Sequence, residues 1–112
     1  MDKPDLGKTS TGIQPHVAAL LSYGLGWVTG LIFYLIEKEN KFVRFHAFQS
    51  IVAFGALNVL TIVLVAVPVI GWMLVPIVYL LELVLWIVLM IKAYQGEKFK
   101  LPVAGELAEK NS

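Results

Sequence analysis

Cysteine is absent, which excludes disulfides, thiolate metal sites and cysteine nucleophiles from whatever this chain does. Charge is nearly as scarce. Only 15% of the 112 residues are Asp, Glu, Lys or Arg, and the formal net charge is +1. Nucleic-acid binding, which needs a clustered basic surface, is therefore not expected. No serine–histidine–acid set, carboxylate pair or phosphate loop occurs, so an enzyme is not expected either, nor a cofactor. A cleaved signal is not expected: the first 14 residues are a polar tail with Asp2, Lys3, Asp5 and Lys8, and the apolar run behind them is too long for a signal core. What the chain does have is hydrophobicity. At 58% apolar it carries more than a soluble domain of its length can hide from water.

The charge-free stretches set the architecture. Val17 to Ile36 gives 20 mostly apolar residues, with Pro15 suited to a first helical turn and Glu37-Lys38-Glu39-Asn40-Lys41 as a stop. Phe45 to Leu81 gives 37 residues without charge. A single helix of that length would reach about 55 Å, nearly twice a hydrocarbon core. The chain must turn back, and Pro68-Val69-Ile70-Gly71 is the place for it. The reading is an all-α integral membrane protein, a small bundle of three transmembrane helices at about 17–36, 46–67 and 72–94 within a 15–95 membrane domain. Residues 96–112 form a short basic, amphipathic tail suited to an anionic membrane surface. With three crossings, the N-terminal tail shares a side with the 68–71 turn. The 37–46 loop and the C-terminus share the other side with seven Lys and Arg against two, which predicts a cytoplasmic location for them in a multi-pass cell-membrane protein.

Several residues stand out against this background. Ala18, Ser22, Gly26 and Gly30 repeat at every fourth position and predict a helix-packing seam. Gly24, Gly26 and Gly30 imitate a nucleotide-binding loop, but the spacing is off by one and no strand precedes them. Arg44, His46, Gln49 and Ser50 open the second span; the last three share one arc, readable as an interfacial anchor or as a polar lining for a partner. Asn58 and Glu82 lie at similar depth in neighbouring spans. The carboxyl costs roughly 3 kcal/mol to insert, against about 0.3–0.6 kcal/mol returned by each Leu, Ile and Val around it. With 13 such residues between Trp72 and Ile91, the helix still inserts. An isolated carboxylate in hydrocarbon takes up a proton, so Glu82 is expected to be neutral and hydrogen-bonded to Asn58 or to another copy. His16 and His46 fall on opposite membrane faces in this topology, about 30 Å apart, and so hold no metal together. Pro-Val-x-Gly occurs at 68–71 and again at 102–105, too short a match to establish a repeat.

Val17-Ala18-Ala19-Leu20-Leu21-Ser22-Tyr23, Gly26-Trp27, the Glu37–Lys41 loop, Arg44-Phe45-His46-Ala47-Phe48-Gln49-Ser50 and Leu101–Ala108 together resemble the Tic-twenty-like small prokaryotic membrane proteins, long grouped as a domain of unknown function. The resemblance covers roughly 14–108. It implies a relation to plastid inner-envelope import subunits, which are usually drawn with four spans where this chain supports three. It brings no catalytic or ligand residue.

The function expected from the sequence is that of a non-enzymatic membrane component. It would act through packing with lipids, with further copies of itself or with other membrane proteins, in complex assembly or protein translocation. The alternative is a small proton-coupled transporter or channel built on Glu82 and Asn58.

Overall fold

The computed structural model describes residues 7–112, and among these the regular structure is entirely helical. The helices are α1 (Pro15–Leu21), α2 (Trp27–Ile36), α3 (Lys41–Val65), α4 (Ile70–Tyr94) and α5 (Ala104–Asn111). Two of them, α3 and α4, are long and apolar enough to cross a membrane, at 25 residues each. They run antiparallel. Phe42, from the start of α3, packs with Leu89 and Ala93 from the end of α4, while at the other end the Trp72 indole donates to the Val65 carbonyl at 2.9 Å.

The first span differs from the expectation. Residues 17–36 are not one helix but two, α1 and α2, separated by Ser22–Gly26. Gly26 has φ 66° and ψ −136°, a conformation open to glycine and strongly disfavoured for other residues. The Thr29 hydroxyl then stands in for missing helical bonds, accepting from the Leu25 N–H at 3.0 Å and contacting the Ser22 carbonyl at 3.1 Å. At about 10 and 15 Å long, neither piece matches a 30 Å core.

The chain ends are also placed differently. The Ser10 N–H donates to the Glu37 carboxylate at 2.8 and 3.0 Å, and the Asn40 carboxamide donates to the Lys8 carbonyl at 3.1 Å. The N-terminal tail and the 37–40 loop therefore meet at one end of the molecule, where a three-crossing arrangement would separate them. His16, edge-on to Tyr94 with ring centres 5.1 Å apart, lies at that same end, as does His46 near the start of α3. The pair flanks one end and does not straddle the molecule. The α1–α2 unit is thus a V that leaves this end, turns about halfway along α3 and returns.

The second expected span, α3, starts at Lys41, not near residue 46, because Asn40 caps it by accepting from the Val43 N–H at 3.0 Å. The third expected span, α4, begins at Ile70 and carries Pro76 inside it. The C-terminal segment does not extend as a surface tail. Its end folds back as α5, and Ala104, Gly105 and Ala108 are buried against the bundle.

The two Pro-Val-x-Gly stretches adopt one geometry. Ile70 N–H bonds the Pro68 carbonyl at 2.9 Å, and Ala104 N–H bonds that of Pro102 at 2.7 Å. Val69 and Val103 sit between them at φ 69° and 65°. These are γ-turns of the strained kind, and each starts a helix.

Candidate functional site

Two groups of polar side chains occupy the interior. The first is a joint at the end where residues 8–10, the 37–40 loop and the C-terminus gather. The buried Tyr23 hydroxyl lies 2.6 Å from His46 Nδ1 and accepts from Gln49 Nε2 at 3.0 Å. His46 Nε2 reaches the Glu97 carbonyl at 2.8 Å. Gln49 donates to the Phe99 carbonyl at 2.8 Å and accepts from the Leu101 N–H at 2.9 Å. Residues 97, 99 and 101 alternate along a stretch without regular structure, and α3 holds this returning chain by its backbone. Arg44 donates to the carbonyls of Glu37 at 2.7 Å, Tyr34 at 3.1 Å and Ser112 at 3.3 Å, and its guanidinium stacks 4.2 Å from the Tyr34 ring centre. Ser50 donates to the Gly26 carbonyl at 2.8 Å and so fixes the bend between α1 and α2. The polar arc read in the sequence at Arg44, His46, Gln49 and Ser50 is thus engaged with the chain's own segments.

Glu37, read in the sequence only as a stop, closes the joint. Its carboxylate accepts from the backbone N–H groups of Ser10, Glu39 and Asn40. Burial pushes this carboxyl up, but the hydrogen bonds from Ser10, Asn40 and Glu39 outweigh that and hold it below the usual carboxylate value.

The second group lies about two-thirds along α3 and halfway along α4. The Asn58 carboxamide is satisfied in one orientation, donating to Glu82 Oε1 at 3.0 Å and accepting from the Trp27 indole at 2.9 Å. The tip of the V thereby meets the polar pair that the sequence placed at equal depth. A notch of about 370 Å³ opens beside them, walled by Gly26, Phe54, Tyr79 and Trp86. Phe54 and Trp86 also contact Tyr23, through a 6.2 Å ring contact and a 2.7 Å indole-to-carbonyl bond. These two side chains stand between the notch and the polar joint.

The seam residues are divided by the bend. Ala18 and Ser22 belong to α1 and its cap, and Gly26 and Gly30 lie beyond the break, so the four do not share one helix face. Ala18 packs with Phe33, Val43 and Ala47. Gly30 lies so close to α3 that a Cβ there would fall 2.8 Å from the Ala47 carbonyl oxygen. Sequence reading missed Tyr23, Trp27 and Trp86, whose polar tips, once buried in an apolar chain, need hydrogen-bond partners.

The family profile described as the magnetosome magnetite crystal formation protein family (MamF/MmsF) matches residues 9–108. The chain is 54% identical over 107 residues to a UPF0132 membrane protein of Methanocaldococcus jannaschii, covering 96% of each. It is 50% identical over 97 residues to a UPF0132 membrane protein of Archaeoglobus fulgidus, covering 87% of this chain and 94% of the relative. A further UPF0132 membrane protein of M. jannaschii is 46% identical over 99 residues, 88% of this chain and 71% of that one. No solved structure matches. These matches overturn the resemblance to Tic-twenty-like proteins, and the import role it implied falls with it. The Arg44–Ser50 stretch that carried the resemblance holds this chain's own ends, and its apolar runs suit any helical membrane family.

Proposed function

The chain belongs to the magnetosome magnetite crystal formation protein family, and from that premise we propose that it is a multi-pass protein of the cell membrane that works by packing, without catalysis. In this reading α3 and α4 cross the hydrocarbon, and the α1–α2 V enters and leaves it on the side that carries both termini. The relatives' names as membrane proteins support the location, as do the large apolar side chains exposed along α3 and α4. The observation that carries the packing role is the polar arc of α3. Every one of its hydrogen bonds goes to the chain's own V, loop or C-terminal segment, which makes it an internal clasp and leaves no polar lining for a permeating species. Phe54 and Trp86 support the same choice by separating Glu82 from that arc. The exterior left for partners is apolar, suited to lipids, further copies of the chain or other membrane proteins.

Among the described residues, every Lys and Arg lies at the end where the termini gather, and the Ala66–Val69 turn carries none. The charge bias therefore supports placing that whole end, the N-terminal tail included, in the cytoplasm. Because the chain has no cysteine, single cysteines at positions 10, 38 and 110 report its arrangement directly. An impermeant maleimide is expected to label all three from the cytoplasmic side alone. Labelling of position 10 from the opposite side to position 38 would sink the proposal.

A further inference from the structure

We infer that the notch beside Asn58 and Glu82 is a binding site, entered sideways from the lipid, for a small ring compound bearing a hydrogen-bonding oxygen, of the quinone or phenol kind. The inference rests on the reading that α3 and α4 lie in lipid. The rim points outward: Leu25 is 74% exposed, Tyr79 56% and Leu83 50%. A ligand that reaches this depth must therefore dissolve in hydrocarbon. The floor nevertheless asks for hydrogen bonds. Glu82 has Asn58 as its partner through one oxygen, and the Tyr79 hydroxyl makes no hydrogen bond to any described residue. A polar group left facing hydrocarbon is costly, so an occupant that satisfies it is favoured over a bare lipid tail.

Size and shape narrow the choice. The volume of about 370 Å³ falls within the range of small-molecule sites. It is too small for the helix of a second copy, which is about 10 Å across. Aromatic walls at Phe54, Tyr79 and Trp86 suit a flat ring, which stacks offset or edge-on against them. The Trp27–Asn58–Glu82 chain of hydrogen bonds holds the floor fixed before any ligand arrives. The barrier formed by Phe54 and Trp86 makes the notch a dead end, so it binds its ligand and does not conduct it.

The test uses the full chain in phospholipid nanodiscs with Trp72→Phe, which leaves Trp27 and Trp86 as fluorescent reporters at the site. Titration with decylbenzoquinone is expected to quench them saturably. Tyr79→Phe, an exposed change that leaves the fold intact, and Asn58→Leu are each expected to weaken apparent binding up to about tenfold, the scale of one lost hydrogen bond. Glu82→Gln, which keeps a hydrogen-bonding group, should retain most of it. Quenching that rises linearly without saturation, or that saturates equally in Tyr79→Phe, Asn58→Leu and Glu82→Leu, would overturn the site. Discs of brominated lipid provide the separate check. Their quenching of Trp27 and Trp86 without quinone reports lipid contact, and its absence would strike the membrane reading instead.

Discussion

Gln49 shows how one side chain can close a fold. Its carboxamide meets the buried Tyr23 hydroxyl and the half-buried Phe99 carbonyl and Leu101 N–H. Gln49→Leu leaves the Phe99 carbonyl and the Leu101 N–H unmatched, while the Tyr23 hydroxyl keeps His46, and each unmatched group costs about 1–3 kcal/mol. The variant is expected to lose stability by at least that much, read as a lower Tm in detergent, with faster amide exchange at Leu101. Glu37 makes a pH-dependent counterpart. Its folded carboxyl sits below the ordinary value, so its contribution is present at neutral pH and fades as pH falls past the usual carboxylate range through that lowered value. Protection of the Ser10 amide, taken relative to its intrinsic exchange rate at each pH, should therefore fall on acidification, and Glu37→Gln should flatten that dependence. The residue types were legible in the sequence, because an apolar chain makes each polar group conspicuous. Their partners were not, since residues 97–101 carry no side-chain signal that they will be held by their backbone.

At the scale of elements, charge-free length located α3 and α4 well, because a helix long and apolar enough to cross lipid announces itself by those two properties. The same criterion failed for residues 17–36, where hydropathy stays high through the bend. The signal there was Gly24-Leu25-Gly26 followed by Thr29, a backbone that can turn and a hydroxyl to cap it. The paired Pro-Val-x-Gly turns carry a second lesson: four shared residues that prove nothing as sequence nonetheless build the same γ-turn twice. In each, a β-branched residue holds a positive φ, at a cost of about 1–3 kcal/mol. Glycine's extra freedom in the unfolded chain costs only about 0.5–1 kcal/mol. Val103 is largely exposed and loses little packing on truncation. Val103→Gly is therefore expected to raise Tm, measured by thermal unfolding in detergent.

For the molecule as a whole, membrane class followed from composition, but the arrangement did not. Counting charge-free runs yields crossings and takes each as complete, whereas the Ser10–Glu37 contact joins segments 27 positions apart and brings both ends of the V together. No pattern in either partner foretells that contact. The depth match of Asn58 with Glu82 was readable because both count from the same turn; the arrival of Trp27 was not, because it depends on the bend.

The Ala66–Val69 turn bears on how the protein is made. Its N–H groups at Ala66 and Val67 bond within the chain, and no Asp, Glu, Lys or Arg lies between Phe45 and Ile91 apart from Glu82. With α3 and α4 crossing the bilayer as proposed, biogenesis requires no charged segment to be hauled across it: the hairpin can slide in tip first, with the lipid itself as the driving force. Insertion into energised and de-energised vesicles is expected to proceed to the same extent, as judged by protease protection. Adding two lysines at the tip should make it depend on the membrane potential.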